Sequence, residues 1–164
     1  MLRWLTATCL LLVLSGAHCA ELRGRVVSVP DGDSIVVLDA KHRQHRVRLA
    51  GIDAPEKGQR FSNRSRDHLA SLVHRQDVIV QWRKRDDYDR LVGIVFINDR
   101  DINLEQVRAG LAWWYRVYAP EQTYEARRMY ELAERQAQQD QRGLWADRKP
   151  VPPWAWRRGN ERAR

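Results

Sequence analysis

Two β-rich runs on either side of a turn constrain this chain most. From Leu22 to Asp39 the residues read Leu-Arg-Gly-Arg-Val-Val-Ser-Val, then a Pro30-Asp31-Gly32 turn, then Asp-Ser-Ile-Val-Val-Leu-Asp. β-branched side chains are stiff at χ1 and pack well on a pleated surface, while Pro-Asp-Gly favours a chain reversal, so the segment predicts a hairpin. A third run, Gln44 to Leu49, alternates, with Val47 and Leu49 on one face and Arg46 and Arg48 on the other. Arg48 is thereby aimed away from the apolar face.

The rest of the chain mixes helical and extended signals. Leu69, Leu72 and Val73 recur at helical spacing, predicting a helix from about Ser62 to His74. Val78, Val80 and Trp82 alternate with Ile79 and Gln81, and Leu91 to Ile97 is a nearly continuous apolar run; both read as strands. Asn103 is the expected cap of a short helix carrying Leu104, Val107 and Leu111 and ending near Gly110. After the aromatic stretch 112–118, a longer helix is expected beyond Pro120. Its stripe is Ala126, Met129, Tyr130, Ala133 and Ala137, and its stop Gly143. From Asp147 onward, Pro150, Pro152 and Pro153 with Trp154, Trp156 and several arginines suggest an extended tail, its tryptophans docked on the domain. Five strands in two clusters, interrupted by one helix and followed by two, predict an α+β fold: an OB-type five-stranded β-barrel with three packed helices.

A chain of 164 residues is about one domain, so one active site is expected. Met1-Leu2-Arg3, an apolar stretch from Trp4 to Leu14 and small residues at Ser15, Gly16, Ala17 and Ala20 form a secretory signal pattern. The expected organisation is therefore a signal peptide at 1–20, one domain at 21–146 and a tail at 147–164, with export to the periplasm or medium and no membrane anchor. Cleavage after Ala17 or after Ala20 both fit. Both cysteines, Cys9 and Cys19, lie in the signal region, which excludes a disulfide framework. The formal charge is +8; residues 1–20 carry Arg3 and no acid, so removing them leaves +7. Such charge suits a polyanionic partner and says nothing about fold.

Three short segments carry the chemistry: Asp31-Gly32-Asp33-Ser34, the stretch from Arg48 through Gly51-Ile52-Asp53-Ala54-Pro55-Glu56, and Tyr88-Asp89-Arg90. Carboxylates bind a hard divalent cation through oxygen, and arginine grips phosphate with a fork that stays charged at any working pH. Together they point to metal-assisted phosphodiester chemistry. Taken singly, Asp31-Gly32-Asp33 is an ordinary turn, Glu56 an ordinary helix-entry acid, and Arg48 and Arg90 ordinary surface residues. His42 and His45 have no cysteine or third histidine beside them to complete a zinc set.

With these segments, Val47-Arg48-Leu49, Val117-Tyr118-Ala119-Pro120 and Gly143-Leu144-Trp145 in order, the chain resembles the staphylococcal nuclease-like (thermonuclease) family over roughly Leu22 to Trp145. The resemblance implies an OB-fold, calcium-dependent, secreted nuclease that cuts DNA and RNA at the bond to the 5′ oxygen and leaves 3′-phosphate ends. It implies that Asp33 and Asp53 give calcium their carboxylates and Ala54 its carbonyl oxygen. Glu56 would orient or deprotonate the attacking water, Arg48 and Arg90 would clamp phosphate, and Tyr88 and Tyr118 would hold the substrate. A monomer is expected.

The chain departs from the family at several places. Asp89 stands where glycine is common and Asp87 where a lysine is found, so two acids beside Arg90 are in a position to draw it from phosphate. Arg116 replaces the first of two substrate tyrosines, with Tyr115 adjacent. A non-catalytic OB module that binds single strands through charge and aromatics is the alternative, and a phosphoesterase of small nucleotides a third.

Overall fold

The computed structural model describes residues 19–162. Its strands are β1 (Ala20–Asp31), β2 (Ser34–Leu38), β3 (Gln44–Leu49), β4 (Ile52–Asp53), β5 (Asp77–Arg85), β6 (Leu91–Ile97), β7 (Arg100–Asp101) and β8 (Trp113–Trp114). Its α-helices are α1 (Ser62–Val73), α2 (Ile102–Arg108), α3 (Tyr124–Gln139) and α4 (Pro153–Arg162), with 3-10 turns at Arg116–Glu121 and Gly143–Ala146. The strands run in the order β3-β2-β1-β5-β6-β7, and β3 also pairs with β6, Val47 opposite Leu91 and Leu49 opposite Gly93. Five strands therefore close on themselves. The closing pair is parallel and the other barrel pairs antiparallel.

Closure needs a strand that bends. β1 pairs with β2 on one side and β5 on the other, and its ladder to β2 breaks register between Val26 and Ser28 and again before Asp31. Such irregularities increase local twist and let a flat ribbon curl. Inside, Val26, Ile35, Val37, Val47, Leu49, Val78, Val80, Leu91 and Val95 are fully buried, as the period-two pattern requires. Leu69 and Val73 of α1 and Ile102, Leu104 and Val107 of α2 join the same core. Each such side chain contributes roughly 1.5–3 kcal/mol by leaving water.

Gly32 joins the barrel to the site. A Cβ there would lie 1.9 Å from Ser65 Oγ and 2.8 Å from the Ala54 Cβ, so only glycine lets the hairpin tip press against α1 and the corner after β4. Gln106 fixes that tip from α2, its Nε2 donating to the Gly32 carbonyl at 2.7 Å. Gly51, at φ +73°, turns the chain from β3 into β4, which pairs with β8.

The structure corrects several expectations. The cap of α2 is Asp101, whose carboxylate accepts from the Leu104 amide at 2.9 Å. Asn103 is instead buried, accepting from the Val95 amide and donating to the Ala50 and Gly93 carbonyls. Tyr130, Ala133 and Ala137 face inward from α3 but Met129 is exposed, and that helix ends at Gln139, short of Gly143. The segment after Asp147 is not wholly extended: it contains α4, so four α-helices accompany the barrel where three were expected. Residues 1–18, most of the expected signal, lie outside the described residues. Among the described residues, no helix is long and apolar enough to cross a membrane.

Candidate active site

The acids and arginines picked out in the sequence line one cleft of about 800 Å³ on the barrel's side. At its floor Arg48 Nη2 lies 3.2 Å from Asp33 Oδ2 and 2.9 Å from Asp53 Oδ1, while Nη1 donates to the Leu49 carbonyl at 2.9 Å. The strand alternation that buries Val47 and Leu49 is what turns Arg48 out of the barrel towards these acids. Asp33 Oδ2 also accepts from the Ala54 amide at 2.6 Å, so the hairpin turn and the β4 corner hold each other. Asp33 and Asp53 are both buried.

Burial governs the Asp33 carboxyl. Desolvation pushes it up to about 7, outweighing the Arg48 guanidinium and the Ala54 amide, which favour the ionised form; Asp31 and Asp53 add to the rise. Near neutrality this group holds a proton about as readily as a charge, and an added cation would displace that proton.

Glu56 sits on the rim of the cleft, four residues after the corner begins at Ile52. Its amide donates to Gln59 Oε1 at 3.0 Å, and Gln59 Nε2 donates to the Val151 carbonyl at 2.6 Å, linking this loop to the C-terminal segment. From α4, Arg157 reaches both acids: Nη2 lies 2.8 Å from Asp53 Oδ2, and Nη1 lies 3.2 Å from Asp53 Oδ1 and 2.5 Å from Glu56 Oε1. Sequence reasoning placed Arg157 in the tail, not in the site. It did expect tryptophan docking, and Trp154 stacks on Tyr115 with centroids 5.3 Å apart and meets Trp113 edge-on at 6.3 Å.

Arg90 enters the cleft from the start of β6. Its partner is Asp86, which accepts from the Arg90 amide at 2.9 Å and from its Nε at 2.7 Å, and which also caps the Tyr88 amide at 3.0 Å. Those bonds hold the Asp86 carboxyl below its ordinary value although partial burial pushes the other way. The acids expected to disturb Arg90 do not: Asp89 pairs with Arg85 at 2.9 Å, and Asp87 makes no ion pair among the described residues. Because Asp86 engages Nε, the two terminal nitrogens of Arg90 make no hydrogen bond to it.

Tyr88 is 72% exposed, with the Arg90 guanidinium 5.5 Å from its ring centroid. Tyr118 is 40% exposed beneath Lys84, whose Nζ lies 4.7 Å from the ring. Both line the cleft, as does Tyr115, which packs edge-on against Tyr118. Arg116 does not reach it: that guanidinium lies over Trp114 and pairs with the buried Glu134 at 2.7 Å. Tyr115 occupies the wall that the Arg116 departure left in question.

The donor set suits a hard cation. Asp33 and Asp53 offer carboxylate oxygens on one floor, beside the Arg48 guanidinium, and a loosely coordinated hard ion would fill its remaining positions with backbone oxygen and water. Among the described residues no group of three or more His, Cys, Asp or Glu side chains is gathered as for a metal.

Known proteins resemble this chain along most of its length. The family model described as "Staphylococcal nuclease homologue" matches residues 46–147. A protein of Escherichia coli O157:H7 described as an uncharacterized endonuclease is 43% identical over 140 residues, covering 85% of this chain and 87% of its own. A micrococcal nuclease of Shigella flexneri is 39% identical over 166 residues, covering 96% of this chain and 92% of its own. An uncharacterized endonuclease of Haemophilus influenzae is 38% identical over 146 residues, covering 89% of this chain and 79% of its own.

Proposed function

The chain belongs to the staphylococcal nuclease-like family, and from that premise we propose that it is a nuclease, hydrolysing phosphodiester bonds of DNA and RNA with little sequence preference and leaving 3′-phosphate ends. Calcium held by Asp33, Asp53 and the Ala54 carbonyl would offset phosphate charge and lower the pKa of bound water. The observation that carries the proposal is the convergence of Arg48 on Asp33 and Asp53, with Glu56 and Arg90 on the same cleft.

In this reading each protein group has one task. Glu56, at the rim, orients the attacking water and accepts its proton. Arg48 and the free fork of Arg90 donate to the non-bridging oxygens, whose negative charge grows toward the transition state; that growth makes their contribution differential. Tyr88 and Tyr118 hold the flanking sugar, phosphate or base along a wall that Lys84 and Arg85 also line.

Incubating the purified protein with plasmid DNA and with RNA, in calcium and then in excess chelator, tests the proposal. Calcium-dependent fragments with 3′-phosphate ends are expected. Salt-sensitive binding without turnover would identify a non-catalytic OB module instead, and turnover of mononucleotide esters alone a small-molecule phosphoesterase. We also propose export of the chain as a monomer after removal of residues 1–20; an intact Met1 on protein recovered from outside the cytoplasm would contradict the processing.

A further inference from the structure

Asp53 has no oxygen without a guanidinium. Oδ1 is shared by Arg48 and Arg157, and Oδ2 faces Arg157. Glu56, the proposed acceptor of the water's proton, is bound by Arg157 as well. A cation that draws on both Asp53 oxygens therefore competes with these guanidiniums for their lone pairs. Arg48 is the harder to move: it stands on a barrel strand, is 17% exposed, and is tied to Asp33 and to the Leu49 carbonyl. Arg157 stands on the terminal helix and is 40% exposed.

Charge adds to the competition: Arg157 and a divalent ion on the same Asp53 oxygens would repel each other, screened in part because Arg157 is 40% exposed.

The helix is held from its start. Gln59 pins the Val151 carbonyl, and Pro152 and Pro153 follow, so the chain is anchored just before α4. Beyond that anchor, Pro153 is buried, Trp154 packs on Tyr115 and edge-on to Trp113, and Arg157 reaches the acids. We propose that Arg157 and a divalent cation are alternative partners of Asp53 and Glu56, so that α4 closes the site without the ion and yields it when the ion binds. This rests on the calcium-dependent reading above. Arg157 thus acts through the acids and sets how much cation the protein needs.

Calcium titration calorimetry on the purified wild type, Arg157→Gln and Trp154→Ala, paired with hydrogen exchange over α4, tests this. A closed helix weakens apparent affinity in proportion to its population, so Arg157→Gln should bind calcium roughly tenfold tighter or more. Trp154→Ala, which keeps the guanidinium and loosens its helix, should shift the same way and serves alone should Arg157→Gln not fold. Calcium should speed exchange in α4 of the wild type and leave that of Arg157→Gln unchanged. Equal affinities with α4 exchange indifferent to calcium overturn the inference, while calcium-dependent cleavage by those proteins would leave the nuclease reading standing. Absence of calcium binding by all three overturns both.

Discussion

Asp33 accepts the Ala54 amide proton at 2.6 Å, tying the tip of the β1–β2 hairpin to the corner that carries Asp53. The bond places a desolvated carboxyl at the floor of the cleft, and a pH dependence follows. Burial raises Asp33 to about 7, above its unfolded value of 3.8. Between these values the folded protein holds the proton more tightly than the unfolded chain, so this group's contribution to stability is present below about pH 4 and lost as pH rises to about 7. In urea unfolding without divalent ions, the wild type should lose on the order of a few kcal/mol relative to Asp33→Asn across that window. A difference that does not vary with pH would refute the shift.

Arg90 depends on Asp86 for its aim. Truncating Arg90 to alanine should lower kcat about 10²- to 10³-fold with a much smaller change in KM, as for a donor that matters most in the transition state. Asp86→Asn keeps the size but weakens the anchor at Nε, and a loss of about tenfold in kcat is expected, or 1.4 kcal/mol of barrier. Steady-state cleavage of a defined oligonucleotide measures both. A faster Asp86→Asn enzyme would show that the acid sequesters the arginine rather than positioning it.

Asn103 holds three backbone groups: it accepts from the Val95 amide at 3.1 Å and donates to the Ala50 and Gly93 carbonyls at 2.9 and 3.1 Å. Asn103→Ala strips the Val95 amide and the Ala50 carbonyl of this partner, while the Gly93 carbonyl keeps the Ala50 amide, and should cost about 3 kcal/mol. Denaturant unfolding checks this, and a loss under 1 kcal/mol would mean that water replaces the amide.

The barrel was legible because its strands carry the period-two alternation of β-branched residues that only a two-sided sheet explains, and Arg48 inherits its direction from that alternation. The helix at the C-terminus was not. Three prolines read as a block to helix, yet Pro153 is the first residue of α4, where the missing amide hydrogen costs nothing. Asp86 was hidden among Asp87 and Asp89 because sequence gives proximity, not aim. Its signal was turn chemistry: an acid opening a tight turn accepts amides two and more residues on, as Asp86 does from Tyr88 and Arg90. Arg157 meets Asp53 and Glu56 from more than a hundred positions away, a separation at which ion pairing leaves no periodic trace.

The most direct test of the catalytic account is the single-turnover cleavage rate of DNA in saturating calcium by wild type and Glu56→Gln, with substrate affinity measured in parallel. Glutamine preserves shape and removes the proton acceptor, so the rate should fall about 10²- to 10⁴-fold while affinity stays within a few-fold. A Glu56→Gln protein that cuts as fast as the wild type would contradict the assignment, and a folded, calcium-loaded wild type inert toward every polynucleotide would contradict the nuclease itself.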